Sequence, residues 1–416
     1  MGAATPFTVA DSFRMVRTLP ATVRTLVAGT FVNQLGTFVV PYLTLVLRRD
    51  FQLDEYGIGL LMLAFGLGSL VSVQTGGWLT DRLGRRLTLL VSLLGSGTLA
   101  VALGLVSTLE GFVPLLVLFG FVRDLYRPAS SAIIADLLPS QQRAVGFGAL
   151  RMAGNLGFAV GMMAGGVLAG WSWRLLFVGD GLTTLAFGIV VWRAIPETAT
   201  ALGPRSPDGE ASPWRDRVFL QVLLVSFLWN LVFFCHLTEL PLTMTVAAGY
   251  PPWLYGVLVG LNGLGVALFE VAAVNRLRHR RRLRVAAVGT LLLGLCFASV
   301  ALALHWAWFL AVVIGYTVAE ILTTPLKMSF VSDWAPPRSR GRYLAWHGAT
   351  WNLAVALNPI LFLPLRARLG DAGFWPLMLL ILAPCALLLW RLDATADRPE
   401  RLRGYAPGPP AAVAPA

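Results

Sequence analysis

Several ionisable residues stand inside long apolar stretches, where their types and positions suggest that they bind and release protons. Arg123, Asp124 and Arg127 lie in one such stretch, and the spacing of Asp124 and Arg127 allows an ion pair on one helix face. Glu239 and Glu320 each stand in a later stretch. Because an ionisable group inside a membrane is costly, each of these residues is a functional candidate unless it has a structural partner.

Two interpretations are open for each acid. Asp124 either carries a proton or forms a static pair with Arg127. Glu320 is followed seven residues later by Lys327, two helical turns on, so a static pair is again the alternative. Glu239 is either a second protonation site or a gate residue near the outer mouth. We rank Glu320 first, because a carboxylate that alternately meets water and a basic partner can load and release a proton.

The composition indicates the environment in which these residues work. Of 416 residues, 56% are hydrophobic and only 13% are charged, whereas about a quarter are charged in soluble domains. The net charge of +12 would suggest nucleic acid in a soluble protein. Here, however, the arginines concentrate in short loops between apolar runs, as membrane topology requires. We therefore expect a lipid bilayer as the environment and no nucleic-acid partner.

Twelve apolar runs are long enough to cross a membrane, since about 20 helical residues span a core of about 30 Å. They cover 24–47, 57–80, 87–107, 112–137, 144–170, 173–194, 218–247, 253–275, 284–304, 307–333, 341–366 and 373–392. Most Arg and Lys residues fall in the N-terminal segment, the even-numbered loops and the C-terminal tail. This bias predicts that both termini are cytoplasmic.

The two halves of the chain repeat each other, which predicts an all-α membrane protein built from two pseudo-symmetric six-helix bundles. An offset of 197 residues lays Pro128, Asp136, Pro139 and Arg143 onto Pro325, Asp333, Pro336 and Arg340. The predicted division is an N-terminal segment (1–23), a first bundle (24–194), a linker (195–217), a second bundle (218–392) and a disordered tail (393–416).

One loop carries a recognisable motif. Residues 77–86 read Gly-Trp-Leu-Thr-Asp-Arg-Leu-Gly-Arg-Arg, which resembles the signature G-x-L-x-D-R-x-G-R-R of the major facilitator superfamily. An offset of 194 lays this motif onto 275–280, with Asn275 in place of the acid. The fifth helix holds Gly157, Gly161, Gly165 and Gly166, which resemble the antiporter signature G-x-x-x-G-P-x-x-G-G with Met162 at the proline. The resemblance is closest to the bacterial drug:proton antiporters.

This resemblance implies a secondary active transporter that works by alternating access and exports small amphipathic molecules against protons. It also implies a proton-carrying acid in the tenth helix and a cavity lined by helices one, four, seven and ten. Uptake by proton symport is the alternative within transporters. A membrane sensor or enzyme is a remote alternative, since no catalytic triad, metal-ligand cluster or Walker-type loop is present. We expect a monomer in a bacterial inner membrane, without metal or cofactor.

Polar and aromatic residues of the cavity-lining helices and their neighbours are the substrate-contact candidates. They are Asn33, Gln34, Tyr42, Arg123, Arg127, Trp229, Asn230, His236, Asn262, Lys327, Trp346, His347 and Trp351. The resemblance further implies a cytoplasmic gate in which Asp81 pairs with arginines across the interface. Its members are Gly77, Asp81, Arg82, Gly84, Arg85, Arg86, Asp136, Arg143, Arg151, Asp333 and Arg340. We expect Arg151 to pair with Asp136 or Asp81, and Glu270 with Arg276 or Arg278.

Overall fold

The computed structural model describes residues 18–37, 39–198, 212–277, 280–303, 305–336 and 339–396, and every regular element in these ranges is a helix. The N-terminal half contains six spans, two of them broken. They are α1a (Ala21–Leu35) with α1b (Val39–Arg49), α2 (Glu55–Leu83), α3 (Arg85–Leu105), α4a (Leu109–Arg123) with α4b (Tyr126–Leu137), α5 (Ser140–Trp171) and α6 (Trp173–Ala194).

The C-terminal half follows the same order of helices. It begins with α7a (Arg217–Phe233) and α7b (Cys235–Leu242), which continues as a π-helical turn (Thr243–Ala247). Next come α8 (Pro252–Leu277), α9 (Arg282–Ala298) and α10 (Trp306–Trp334). The last helical stretch, Arg340–Ala396, is interrupted at Gly370, where φ is +65°, so it divides into α11 (340–369) and α12 (371–396).

The helix count agrees with twelve spans once two breaks are considered. Within the described residues, ten helices are long and apolar enough to cross a membrane by themselves. One of the ten is the 52-residue stretch Arg342–Asp393, which contains the break at Gly370 and so supplies two spans. The α4 region is not among the ten, and its two pieces, Leu109–Arg123 and Tyr126–Leu137, are 15 and 12 residues long.

Two predicted boundaries need correction. The first span begins at Ala21, three residues earlier than expected. Helix α12 continues to Ala396, so the predicted disordered tail starts too early. Asp393 is 6% exposed and lies 2.9 Å from the guanidinium of Arg284, and this ion pair explains why the helix extends past the apolar run. Residues 1–17, 199–211 and 397–416 lie outside the described part of the chain.

The surface of the bundle is apolar where a soluble protein would be polar. Large hydrophobic side chains such as Leu60, Leu182 and Leu380 are half exposed or more, and they occur along the helices rather than in one patch. In contrast, polar side chains such as Ser92 and Thr290 are buried between helices. This inverted pattern is the one that a lipid environment stabilises, because lipid tails cannot hydrogen-bond polar groups.

The two halves meet closely on the side of the bundle opposite the chain termini. Helix α2 packs against α11, and α5 packs against α8. A Cβ added at Gly66 would lie 2.6 Å from the Cα of Ala356, and one added at Gly166 would lie 2.7 Å from the Cα of Trp253. Small residues allow such backbone contact between helices in membranes. Near the termini, Gly77 has no atom within 4 Å of its Cβ position.

Gly84 predicts a tight reversal between α2 and α3, and the loop forms one. Gly84 has φ of +94°, which side chains with a Cβ rarely adopt. The carboxylate of Glu197 accepts hydrogen bonds from the backbone N–H groups of Arg85 (2.8 Å) and Arg86 (3.2 Å), and so satisfies the start of α3. Glu197 lies 112 residues after Arg85, so the motif itself did not predict this contact.

We expect Gly84→Ala to destabilise the fold by about 1–3 kcal/mol, the usual cost of a strained backbone position. The added Cβ would also lie 2.4 Å from the Glu197 carboxylate and displace it. Thermal unfolding of the detergent-purified protein measures this loss. Gly77→Ala is the matched control, because its Cβ enters open space in the same motif. Equal melting temperatures for the two variants would contradict the assigned strain.

Candidate functional site

The charged cluster of the fourth span stands at a true break in the helix. Helix α4a ends at Arg123, and Asp124 and Leu125 connect it to α4b. The break therefore precedes Pro128, whose missing backbone N–H predicts a bend at a later position in this span. The hydroxyl of Ser92 on α3 accepts from the backbone N–H of Tyr126 (3.1 Å) and donates to the carbonyl of Val122 (2.9 Å). This buried hydroxyl replaces hydrogen bonds that the broken helix loses.

The expected pair between Asp124 and Arg127 is present. The Arg127 Nε lies 2.7 Å from Asp124 Oδ1, and the hydroxyl of Ser69 donates to the other carboxylate oxygen. Both oxygens of Asp124 are thus occupied, so the geometry favours the structural interpretation of this acid. Arg123 differs, because its guanidinium forms no ion pair or hydrogen bond to any described residue and stacks 5.6 Å from the ring centre of Phe119.

A polar pocket in the N-terminal half unites several predicted residues with one that was missed. Asn33 and Gln34 line it together with Arg123 and Asp124. The missed residue is Asp180 on α6, which is 4% exposed and also lines the pocket. Its presence inside an apolar run of spanning length was the signal, since the rule that identified the other membrane acids applies equally to it.

Glu320 on α10 is held by neutral groups. The side-chain amide of Asn262 on α8 donates to Glu320 Oε2 at 2.9 Å and also contacts the hydroxyl of Thr317 at 3.1 Å. The alternative of a static pair with Lys327 is wrong, because no ion pair joins these two described residues. Instead, the Lys327 ammonium lies 4.5 Å from the ring centre of Trp229 and is 2% exposed. Helical spacing put both residues on one face but could not identify their partners.

Glu239 is enclosed completely near the side opposite the termini. It is 0% exposed, the hydroxyl of Thr238 donates to its Oε2, and the amide of Asn358 on α11 lies 3.5 Å from the same oxygen. Its Oε1 has no hydrogen-bond partner among the described residues. The Nδ1 atom of His236 lies 2.5 Å from the backbone carbonyl oxygen of Phe233. His236 therefore has a backbone partner and does not pair with Glu239. Both interpretations of Glu239, proton site and gate, remain predictions.

Most of the remaining cavity candidates converge between α7 and α11. Asn230 donates to the hydroxyl of Thr350 (3.0 Å), and His347 lies 3.2 Å from the hydroxyl of Ser226. The rings of Trp229 and Phe233 stack at 4.8 Å, and the edge of Trp351 meets Phe234 at 4.8 Å.

Two candidates lie apart from this cluster. Trp346 is 42% exposed and packs 4.5 Å from the ring of Trp214, beyond the start of α7. Tyr42 is buried in the contact between the halves, where its hydroxyl donates to the carbonyl of Met162 and its ring meets Tyr255 at 5.5 Å. Tyr42 therefore stabilises the closed side of the bundle in this conformation.

The gate residues form two equivalent ion pairs, each inside one half. Arg85 Nε lies 3.0 Å from Asp136, and Arg282 pairs with Asp333. Both pairs are related by the offset of 197, and α3 and α9 begin at Arg85 and Arg282. The offset of 194 holds for the ends of α2 and α8 at Leu83 and Leu277, but it is wrong for Arg85, to which it assigned His279. Pairing of Asp81 across the interface stays a prediction.

The other gate residues have local surroundings. The Arg82 guanidinium stacks 4.6 Å from the ring centre of Trp78, and Arg143 donates to the carbonyl of Leu138 at 3.1 Å. Arg86 donates to the carbonyl of Trp192. The Nε of Arg340 is buried without a hydrogen-bond partner among the described residues.

The predicted partners of Arg151 and Glu270 are wrong. Arg151 on α5 and Glu270 on α8 pair with each other at 2.7 Å, so this ion pair joins the two halves. The antiporter signature implies that the glycines of α5 pack against the opposite half, but they do not all do so. Gly157 and Gly161 approach the backbone of α1a, where added Cβ atoms would lie 2.6 Å from carbonyl oxygens. Among the motif glycines whose contacts are described, Gly166 is the one that faces α8.

We expect Arg151→Glu and Glu270→Arg each to destabilise the protein, because each leaves like charges facing across the interface. The double exchange should recover most of the loss, with a coupling energy of about 0.5–3 kcal/mol. Thermal unfolding of the four proteins measures this cycle. Strictly additive effects would show that the pair does not join the halves in solution.

Comparison with known proteins gives a consistent set of matches. Residues 26–359 match the sequence profile of the Major Facilitator Superfamily. A Na(+), Li(+), K(+)/H(+) antiporter of Planococcus maritimus is 26% identical, over 83% of this chain and 89% of the relative. The multidrug resistance protein MdtH of Cronobacter sakazakii is 26% identical, over 81% and 86%. A crystal structure of the peptide transporter POT with sulfate superposes with a TM-score of 0.77 at 17% identity, over 94% and 99%.

Proposed function

Since the chain belongs to the major facilitator superfamily, we propose that it is a proton-coupled antiporter that exports small amphipathic molecules from a bacterial cell. The observation that carries this proposal is Glu320, a membrane-embedded acid whose only hydrogen-bond partner among the described residues is the neutral amide of Asn262. With no basic partner, this carboxyl group can exist with or without a proton without breaking an ion pair.

The conformation supports a transport cycle by alternating access. The halves close on the side opposite the termini, whereas Gly77 and Gly148 near the termini have no atoms within 4 Å of their Cβ positions. With cytoplasmic termini, as the arginine bias predicts, this is an inward-open state. The enclosed Glu239 would then reach the outer solution only after the halves rock apart on that side.

The names of the relatives favour antiport over symport. One is described as a cation/proton antiporter and another as a multidrug resistance protein. Inward movement of one proton would supply about 2.3 kcal/mol per 100 mV of membrane potential, in addition to the pH term. In the proposed cycle, Glu320 takes a proton in the outward-open state and releases it in the inward-open state. The substrate then binds from the cytoplasm and is exported on the return. Trp351 is partly exposed and would contact the apolar part of the substrate, with Phe233 and Trp229 packed behind it.

The direction of coupling can be measured in inside-out vesicles with an acidic interior and an internal pH-sensitive dye. A panel of amphipathic compounds is added outside, which corresponds to the cytoplasm. Antiport predicts that a substrate makes the interior more alkaline, because it enters in exchange for protons. Symport predicts the opposite sign, because substrate and protons enter together. Vesicles without the protein are the control, and a lack of response to every compound would contradict both forms of coupling.

A further inference from the structure

The polar pocket of the N-terminal half contains one acid and one base that lie near each other but form no hydrogen bond with each other. Asp180 is 4% exposed, and its Oδ2 has no hydrogen-bond partner among the described residues. Its other oxygen, Oδ1, lies 3.3 Å from the hydroxyl of Thr184, whose stronger contact is the Asn33 side-chain oxygen at 3.0 Å. Asp180 therefore keeps a free acceptor in a site that is almost completely buried.

Arg123 lines the same pocket and is the complementary group. Its guanidinium has five N–H donors, and none of them donates to a described residue. The other two charges nearby, Asp124 and Arg127, already pair at 2.7 Å. Of the four charges around the pocket, two thus satisfy each other, while the remaining acid and base are left with unused hydrogen-bonding capacity.

Asp180 is buried and Arg123 is partly buried. A charge removed from water without a hydrogen-bonded partner is unfavourable, so both groups favour a ligand that supplies the opposite charge. A simple cation at Asp180 would stand beside the like charge of Arg123, and a simple anion at Arg123 would stand beside Asp180. A molecule that carries both charges avoids these repulsions and satisfies both groups. Gln34 and Tyr126 also line the pocket and add polar groups for orientation.

We propose that this pocket binds the charged end of a small zwitterionic substrate, with an ammonium group at Asp180 and a carboxylate at Arg123. This inference rests on the proposed export function and adds the chemical class of the substrate. The proposal assigns different functions to the two halves. The N-terminal half would bind the zwitterion, whereas Glu320 and Glu239, the acids proposed for proton exchange, lie in the C-terminal half. Substrate and proton would thus affect each other through the change of conformation.

Binding can be tested with three zwitterions of increasing size: phenylalanine, alanyl-phenylalanine and a piperazinyl quinolone carboxylic acid. Each is compared with its methyl ester, which lacks the carboxylate, and its N-acetyl derivative, which lacks the ammonium group. Affinity for the purified full-length protein is measured by thermal stabilisation across a concentration series. We expect at least one zwitterion to bind about tenfold or more tightly than both of its derivatives, as expected for hydrogen bonds between charged groups.

Two variants identify the residues independently of general damage to the protein. Asp180→Asn should weaken the zwitterion and its ester but leave the N-acetyl derivative unchanged. Arg123→Gln should weaken the zwitterion and its N-acetyl derivative, and leave the binding of the ester unchanged or improved. A misfolded variant would bind none of the three compounds. The expected result, in which each variant keeps its affinity for a different derivative, requires a correctly folded site.

Three outcomes would overturn the proposal. They are a lack of binding by all three zwitterions, equal affinity for a zwitterion and its ester, and weaker ester binding in Arg123→Gln. The second outcome would indicate a site for simple cations. The vesicle assay distinguishes these failures from a failure of the proposed export function. If some other compound still gives an alkaline shift in vesicles, proton antiport holds and only the assigned substrate class is wrong.

Discussion

Replacing Glu320 with Gln is expected to abolish proton-coupled transport while the protein still folds. The glutamine side chain has nearly the same shape, and its oxygen can still accept the hydrogen bond that Asn262 donates to Glu320 at 2.9 Å. It cannot, however, bind and release a proton. We expect the substrate-induced pH change in vesicles to fall by about 100-fold or more, since a group that carries the proton has no substitute in the step it performs.

Exchange of labelled for unlabelled substrate provides the second measurement for this variant. Exchange requires substrate binding and the conformational change, but it needs no net proton movement, so Glu320→Gln should retain it. Glu110→Gln is the matched control, because Glu110 is exposed at the first turn of α4a on the side opposite the termini. Full proton coupling in Glu320→Gln would reject the assignment, and loss of coupling in Glu239→Gln alone would transfer the role to Glu239.

The spans could be predicted from sequence because a single physical requirement, about 20 apolar residues per crossing, determines them. The breaks could not be predicted in the same way. Pro128 was the expected cause of a bend in the fourth span, yet the helix ends earlier, at Arg123. The interruption is stabilised by the hydroxyl of Ser92 on α3, and such a tertiary hydrogen bond leaves no pattern in the sequence of α4.

The ion pairs show the same limit. Asp124 and Arg127 are only three residues apart, so their spacing alone could predict the pair. Arg151 and Glu270 are far apart in sequence and meet only because α5 packs against α8. Asp180 was a different kind of miss, since its position in an apolar run satisfied the criterion used for the other acids. Its neighbours in the pocket, however, became visible only in three dimensions.

The internal repeat explains why the two halves can differ in function while they share a fold. The offset that relates the pairs Arg85–Asp136 and Arg282–Asp333 also relates Asn33 to Asn230. It relates Arg123 to Glu320, so equivalent positions carry a base in one half and an acid in the other. The repeated pairs support the structure, whereas the residues that differ are the ones we assign to substrate and proton.

Bulky substitutions at two glycines of α2 are expected to shift the transporter in opposite directions. A Cβ at Gly66 would lie 2.6 Å from the Cα of Ala356 on α11, so Gly66→Val should prevent closure on that side and favour the outward-open state. Gly77 has open space in the present conformation. If it meets the other half when the termini side closes, as the gate motif predicts, Gly77→Val should favour the inward-open state. Both variants should lower the transport rate by about tenfold or more, because each impedes half of the cycle.

Labelling of a single cysteine distinguishes the two states. In a background in which Cys235, Cys296 and Cys385 are replaced by serine, Gln34→Cys places a thiol in the N-terminal pocket. With a membrane-impermeant reagent added to right-side-out vesicles, Gly66→Val should increase the labelling rate and Gly77→Val should decrease it. Gly170→Val is the control, since its Cβ position is also free of neighbours but lies at the end of α5. Changes of the labelling rate in the same direction for both variants would contradict the assignment of the closed and open sides. In a rocking motion, obstruction at opposite ends of α2 must favour opposite states.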